Sequence, residues 1–447
     1  MLKGKHIVVG ISGGIAAYKI PELIRLLIKE GAEVRVTTTR NALQFVTETT
    51  LRTLSGYPVY SDVFAAVNAH ATEHISLPDW ADLMLIAPAT ANTIAKMAHG
   101  IADDALTTTY AACIARKPVV IAPAMNDKMY ANPATQLSFS LLVGQGVHLL
   151  DCAAGFLACG TEGKGRMQEI ETILEAVQTA LTPQSLAGRH ILLTAGPTRE
   201  RIDPVRYVSN DSSGKMGYAL ARECLRRGAR VTLISGPTNL SILAVPFLTH
   251  KEDTSSLNPN KHALSVNNQL TLIPVESAQM MYEAAKKVYL DDSDGGIYRP
   301  DATILSAAVA DFTPAEPANQ KRKKQPGQTE MQLRMVLTPD IAATLGKQKG
   351  LIKSSATAQN GGIGQSQRLI GFALETENEE QNAYRKLESK NLDMIVLNSL
   401  RYEGAGFGVD TNKVTLITRA TKENLPLLSK QEVASRIVDA IESNFFS

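Results

Sequence analysis

Small and hydroxyl-bearing residues gather directly after the first apolar run of the chain, where Ile7-Val8-Val9 leads into Gly10-Ile11-Ser12-Gly13-Gly14-Ile15. A strand that turns through such residues into a helix presents backbone N–H groups at the positive helix end, which suits a phosphate. The Ser12 hydroxyl would add a donor, and Thr37, Thr38 and Thr39, after the next apolar run, would add three more. The segment is not G-x-G-x-x-G, and a tight turn for close helix-sheet packing would use the same glycines. Cys159 stands beside Gly160, Gly163 and Gly165, a setting that reads as a mobile flap carrying a thiol rather than as core. His70-Ala71-Thr72-Glu73-His74 matches the H-x-x-E-H zinc pattern, which needs one helix through both histidines. Pro78 follows so closely that such a helix is expected to end there, which disfavours zinc.

A second group of candidates lies beyond residue 190. The stretch from Asp203 to Lys215 is dense in hydrogen-bonding side chains, and Lys321-Arg322-Lys323-Lys324 concentrates positive charge. Taken alone, that run reads as a solvated loop or a nucleic-acid patch.

The elements that must carry these residues repeat. Gly4-Lys5-His6-Ile7-Val8-Val9-Gly10 recurs as Gly188-Arg189-His190-Ile191-Leu192-Leu193-Thr194, and each copy leads through a helix to a glycine and a β-branched run, Ala32 to Thr37 and Ala229 to Ile234. The second copy is longer, so two sites for different ligands are expected. Continuous apolar runs such as Leu83-Met84-Leu85-Ile86 and Val119-Val120-Ile121 read as buried parallel strands, and helices on both faces would make a doubly wound fold with ligands beyond the carboxyl ends of the strands. A first domain over 1–181, a linker over 182–187 and a second domain over 188–447 are expected. Polar stretches over 252–269, 291–298 and 354–367 read as mobile surface insertions, and Val409 to Thr418 as a late hairpin.

A length of 447 residues suits two to three domains of about 150 residues each. The net charge of +2 gives no reason to invoke nucleic acid or membrane, and no apolar run approaches the roughly 18 residues of a spanning helix. No signal-peptide pattern precedes the first strand, so a cytoplasmic protein is expected. Cys113, Cys152, Cys159 and Cys224 have neither C-x-x-C nor zinc-ligand spacing, and the metal ligands, if any, stay unassigned.

Three segments of the first half sharpen the reading: Pro88-Ala89-Thr90-Ala91-Asn92-Thr93, Pro123-Ala124-Met125-Asn126-Asp127-Lys128-Met129, and Ala158-Cys159-Gly160 with Gly163-Lys164-Gly165-Arg166-Met167. Together with His74 they resemble the flavin-dependent phosphopantothenoylcysteine decarboxylases, with Tyr130 standing where the family motif usually ends in Trp. The resemblance implies a flavodoxin-like sheet with FMN held by Ser12, Gly13, Gly14, Thr38, Thr90, Asn92 and Thr93. It implies Met125 and Asn126 at the substrate, Asn126 on its carboxylate, Cys159 as proton donor, and His74 assisting oxidation or positioning. The chemistry is coherent, because an unactivated cysteine carboxylate needs an electron sink before it can lose carbon dioxide, and oxidation of the thiol end to a thioaldehyde makes one.

The second half resembles the phosphopantothenate-cysteine ligases in Thr194-Ala195-Gly196-Pro197-Thr198-Arg199-Glu200, in the Asp203 to Gly217 segment, in Ala307 to Phe312, and in Phe372-Ala373-Leu374-Glu375-Thr376. Leu374 departs from the more usual Ala. This resemblance implies a second Rossmann-like domain that binds CTP with Mg²⁺ and activates the carboxylate of 4'-phosphopantothenate as an acyl-cytidylate for attack by cysteine. Asp311 would meet the cytosine or its ribose, Lys321 the polyphosphate, and Pro339, Asp340, Ile341, Phe372, Lys386 and Lys390 would complete the pocket. Asn210 would stabilise the acyl-cytidylate or the oxyanion. The joint presence of both halves implies a bifunctional enzyme of coenzyme A biosynthesis whose product of ligation, 4'-phosphopantothenoylcysteine, is the substrate of decarboxylation. Homo-oligomers follow from the same resemblance: trimers of the first domain, dimers of the second, and a dodecamer from both. A flavin prenyltransferase would leave the Met125-Asn126 segment and the second half unexplained, and a non-catalytic flavin-binding regulatory subunit would not need His74, Asn126 and Cys159.

Overall fold

Strands β1 (His6–Ile11), β2 (Glu33–Thr38), β3 (Val59–Tyr60), β4 (Leu83–Ala89), β5 (Val119–Pro123) and β6 (His148–Leu149) pair in the order β3-β2-β1-β4-β5-β6, all of them parallel. This computed structural model describes every residue except 1, 65–71, 157–159, 251–263, 268, 292–298, 325, 327–328, 350–366, 376, 400–403, 405, 407 and 447. Cys159 and most of the three expected insertions therefore lie outside the described residues.

The period of two along each strand divides its side chains between two cores. Ile7, Val9, Val34, Val36, Leu83 and Leu85 join one cluster, while Val8, Met84, Ile86 and Ile121 join another. Helices cover both faces. Ile20–Lys29 buries Ile20, Leu23, Ile24 and Leu27 at helical spacing in the first cluster, and Ala91–Ala98 and Ala105–Cys113 bury Ile94, Met97, Leu106 and Tyr110 in the second. The strand order reverses between β1 and β4, which opens a crevice at the carboxyl ends of those two strands. Downstream, β7 (Ala153–Phe156) and β8 (Glu162–Arg166) form an antiparallel hairpin.

Contacts divide the chain into one unit of Met1–Pro183 with Val245–Asn268, and another of Gln184–Ala244 with Gln269–Ser447. Residues 245–268 thus belong with the first unit although they lie within the second half of the sequence. Leu150 bridges Phe247 in antiparallel fashion beside β6, Asp151 N donates to Pro246 O at 2.8 Å, and Leu248 and Leu264 pack on the second core cluster. Leu248–His250 and Leu264–Val266 pair as a short hairpin. The reading of 252–269 as a packing-free insertion fails at its described end, because Leu264 packs on the second core cluster.

The second sheet runs Leu270–Pro274, Arg230–Ser235, His190–Ala195, Ala302–Leu305, Arg368–Glu375, Met394–Ser399, Val414–Thr418, Lys422–Asn424. Its first six strands are parallel and the last two antiparallel. Ile191 and Leu193 face one core and Leu192 the other; Lys215–Arg226 and Lys430–Phe445 cover the former, Ala278–Tyr289, Ile341–Gln348 and Glu379–Ser389 the latter. Both units are therefore doubly wound, the second on a mixed sheet. The late hairpin is displaced from the expected Val409 to Thr418: the alternating stretch is only its first arm, Lys422–Asn424 is the second, and Thr411–Asn412 pairs with Leu428–Ser429 instead. Among the described residues no helix is long and apolar enough to cross a membrane.

Leu248 is 7% exposed, so Leu248→Ala is expected to cost the first unit about 2–4 kcal/mol through lost burial and the cavity left behind. Trp80, the single tryptophan, lies in the first unit and reports its unfolding by fluorescence in urea. An unchanged midpoint would show that residues 245–268 contribute nothing to that unit.

Candidate active sites

A cavity of about 1120 Å³ opens at the crevice of the first sheet, lined by Gly13, Gly14, Thr39, Asn41, Thr90, Asn92, Thr93, Met125 and Asn126 among others. Gly13 and Gly14 leave β1 where chain and ligand must approach closely, and a Cβ on Gly13 would stand 2.5 Å from Asn41 Cβ. The hydroxyls of Thr37, Thr38 and Thr39 are buried without a hydrogen-bond partner. Leaving such a group unpaired costs about 1–3 kcal/mol, so at Thr39, which among these three lines the cavity, a ligand bearing acceptor oxygens such as a phosphate fits. Thr38 itself does not reach the cavity wall; Thr39, one residue on, does.

Ser12 has another task than the expected one. It is fully buried, its hydroxyl donates to Pro88 O at 2.8 Å and accepts from Thr90 N at 2.9 Å, so it ties the loop after β1 to the loop after β4 and does not line the cavity. Thr90 in turn caps the helix Ala91–Ala98, its side chain accepting from Thr93 N. On the far wall, Asn126 caps the helix Asp127–Tyr130, with Oδ1 accepting from Lys128 N at 2.9 Å, which fixes the plane of its amide. Met125 N donates to Gly165 O at 2.9 Å and so docks β8 on this loop. Gly165 has φ +156°, and a Cβ there would collide with the Met125 carbonyl.

His74 sits half-buried on the helix Glu73–Trp80 and does not line the cavity. That helix runs through Pro78 rather than ending before it, because Ala81 N still reaches Leu77 O at 3.0 Å and closes the last turn. It begins three residues after His70, which lies outside the described residues, as does Cys159; Gly160, next to Cys159, lines the cavity. Positive charge at the mouth comes from Arg166, within the glycine-rich motif, and from two residues that no motif announced, Lys19, paired with Glu169 at 3.1 Å, and Lys96. The Asp103 carboxylate, 2.7 Å away, holds the Lys96 ammonium above the ordinary lysine range against the opposing effect of burial.

The second cavity, about 930 Å³, lies at the carboxyl ends of the second sheet. It brings together Asn210, Asp311, Pro339, Asp340, Ile341, Phe372, Lys386 and Lys390, as expected from the sequence, but not Lys321, which is exposed and off the wall. The basic run is tethered one residue on, where Arg322 N donates to the buried Asp203 carboxylate at 3.1 Å. Asn210 Nδ2 donates to Ala308 O and Val309 O, both at 3.2 Å, so an oxyanion would have to displace one of those carbonyls. Lys386 pairs with Glu375 at 2.5 Å and Lys390 with Asp340 at 2.8 Å. Asp340 also accepts from Ala343 N as a helix cap; burial works against its charge, yet that N–H and Lys390 prevail and hold its carboxyl below the usual range.

Two lysines of this wall escaped the sequence reading. Lys215 follows Ser212-Ser213-Gly214 and reaches Asp410 at 2.7 Å and Gly408 O at 2.9 Å. Lys430, the first residue of the last helix, is 8% exposed and donates to Gly406 O and Val409 O at 3.2 and 2.6 Å. Burial, and then Lys215, push its ammonium below the ordinary lysine range. Together they pin the chain around 406–410 along the cavity.

Residues 1–182 match the flavoprotein family model, and residues 186–252 and 256–445 match that of the DNA/pantothenate metabolism flavoprotein C-terminal domain. Over 445 residues the chain is 42% identical to the coenzyme A biosynthesis bifunctional protein CoaBC of Bacillus subtilis (strain 168), covering 99% of this chain and 97% of that one. The chain belongs to the bifunctional coenzyme A biosynthesis family. This family joins a flavoprotein decarboxylase to a ligase. The family member described here is also 42% identical over 402 residues to a cysteine/cysteine sulfinic acid decarboxylase from an unknown prokaryotic organism, covering 89% and 98% of the two chains. A crystal structure of the C-terminal domain of a CoaBC protein is 36% identical, covers 58% of this chain and 97% of that one, and superposes with a TM-score of 0.40.

In this bifunctional family member, Gly165→Ala is expected to undock β8 from Met125 and to weaken flavin retention about tenfold or more, read as released flavin fluorescence. Retention equal to the parent would show the close approach to be dispensable. Lys430→Met leaves the Gly406 and Val409 carbonyls unpaired, an expected loss of about 1–3 kcal/mol in the order of that loop and of about tenfold in affinity for CTP. Calorimetric titration returning the parental affinity would remove Lys430 from the site.

Proposed function

We propose that the second unit joins 4'-phosphopantothenate to cysteine at the expense of CTP, and that the first unit removes carbon dioxide from the resulting 4'-phosphopantothenoylcysteine to give 4'-phosphopantetheine. What carries the reading is the near-complete match to a bifunctional relative, in a chain with a separate cavity at the carboxyl edge of each sheet. The decarboxylase belongs to residues 1–181, completed by 245–268, and the ligase to the rest of 188–447.

In the ligase, the substrate carboxylate attacks the α-phosphorus of CTP and pyrophosphate leaves; the cysteine amine then attacks the acyl carbon, cytidylate leaves, and the amide forms. Lys386 and Lys390 meet the polyphosphate by exchanging carboxylate partners for phosphate, and Lys321 approaches from the segment after Asp311. Asp311 recognises the cytosine or ribose, Phe372 and the Pro339-Asp340-Ile341 turn shape the base pocket, and Asn210 faces the acyl group. The Asp211 and Asp311 carboxylates on the same wall would hold Mg²⁺ bound with the triphosphate, and the ion would offset phosphate charge there.

In the decarboxylase, FMN is the group that fits the glycine cradle and the unpaired Thr39 hydroxyl. When bound, it supplies the reversible two-electron oxidation that makes an electron sink out of the substrate's thiol end. Gly13, Gly14, Thr39, Thr90, Asn92 and Thr93 hold it, with Ser12 fixing Thr90 from behind. Asn126 binds the substrate carboxylate, Met125 packs on the acyl-cysteine, Cys159 delivers the final proton to carbon, and His74 positions the substrate from outside the described wall. The enzyme is cytoplasmic and homo-oligomeric, with trimers of the first unit and dimers of the second building a dodecamer.

Incubation with phosphopantothenate, cysteine, CTP and Mg²⁺, followed by mass spectrometry, is expected to yield phosphopantetheine. Cys159→Ser should stop at least about 99% of that yield while phosphopantothenoylcysteine still accumulates. Cysteamine formed from free cysteine without CTP would favour a cysteine decarboxylase instead, and a normal yield from Cys159→Ser would remove its proton-donor role.

A further inference from the structure

The hairpin of β7 and β8 meets the Met125-Asn126 loop through Met125 N and Gly165 O, and Cys159 falls in sequence between its two strands. One leg of that hairpin ends in a closed polar cluster. Lys164, on β8, pairs with Asp151 Oδ2 at 2.6 Å, and the Tyr130 hydroxyl donates to Asp151 Oδ1 at 2.7 Å. The ammonium also lies 5.1 Å from the centre of the Tyr130 ring. Asp151 is 5% exposed and held by its backbone on two sides: its N–H donates to Pro246 O at 2.8 Å, and its carbonyl accepts from Gln168 Nε2 at 2.9 Å. Tyr130 is fixed equally well, with its carbonyl accepting from Gln136 Nε2 at 2.6 Å and its ring 5.8 Å from that of Phe139.

A carboxylate so far from water is tolerated because both of its oxygens are paired; removing Lys164 would leave its charge uncompensated, and removing the Tyr130 hydroxyl would leave one oxygen without its donor. The cluster is therefore cooperative rather than a sum of two contacts. Two of its members are shifted away from neutral pH. Burial, helped by the Asp151 hydrogen bond, pushes the Tyr130 phenol up to about 12, and burial of Lys164 is outweighed by Asp151 and Tyr130, which leave its ammonium above the ordinary range.

We propose that Tyr130, Asp151 and Lys164 are a positioning unit that locks the β7–β8 hairpin in register with the Met125-Asn126 loop. The inference rests on the decarboxylase reading only for its catalytic consequence; the docking of the hairpin stands apart from it.

The test uses the full chain with FMN and compares Tyr130→Phe, Lys164→Met, Lys164→Arg and the double variant Tyr130→Phe/Lys164→Met. Hydrogen exchange of the amides in 153–166 reads the docking, and the kcat and KM of phosphopantothenoylcysteine decarboxylation read the consequence. Each of the first two variants is expected to speed exchange in the hairpin about tenfold and to lower kcat by a similar factor with flavin retained. Lys164→Arg should restore most of both, and the double variant should cost less than the product of the two single effects, the mark of a shared carboxylate. Exchange unchanged in both single variants, or fully multiplicative effects in the double, would overturn the proposal. A parent chain that protects the hairpin but releases no carbon dioxide would sink the functional reading and leave the positioning unit in place.

Discussion

Burial of both faces of a parallel sheet is the constraint from which the rest follows. Neither face of either sheet can present chemistry to a ligand, since Val8 and Val9 already serve opposite cores, as do Leu192 and Leu193. Every functional group is displaced to the one edge where strands stop and helices begin. Both cavities lie there, and the groups on their walls come from loops separated by long stretches of chain and brought together only by strand order.

That constraint also explains what could be read from the sequence. Gly13, Gly14, Thr90, Asn92, Thr93, Met125 and Asn126 are legible because each sits within a few residues of a strand end, and a local pattern carries all the information. Ser12 was misread because its partners, Pro88 and Thr90, are 76 and 78 residues away, and only the pairing of β1 with β4 shows that its hydroxyl is spent. Lys430 gave no signal at all: it opens an ordinary helix, and its work depends on carbonyls 21 and 24 residues earlier. Lys321, a position taken from the family resemblance, stays off the wall, while the backbone of its neighbour Arg322 is held by Asp203. The repeat of the two opening segments did announce two doubly wound units, whereas the antiparallel end of the second sheet was only half legible, because alternation marks an arm and not its partner.

The second cavity is cationic in composition but not in bare charge. Lys215, Lys386 and Lys390 each meet a carboxylate, Asp410, Glu375 and Asp340. A polyanion entering such a site swaps one anion for another at each ammonium and avoids stripping water from an unpaired cation. Lys430 differs, since carbonyls rather than a carboxylate hold it, and its part is to order backbone.

Residues 245–268 carry a genetic consequence. A gene cut between codons 183 and 184 would look like a clean separation of two enzymes, yet the amino-terminal product would begin life with the flank of β6 bare and Leu150 uncovered. An unpaired flank of that kind invites other chains to add to it. A separated first unit would need another cover for that flank.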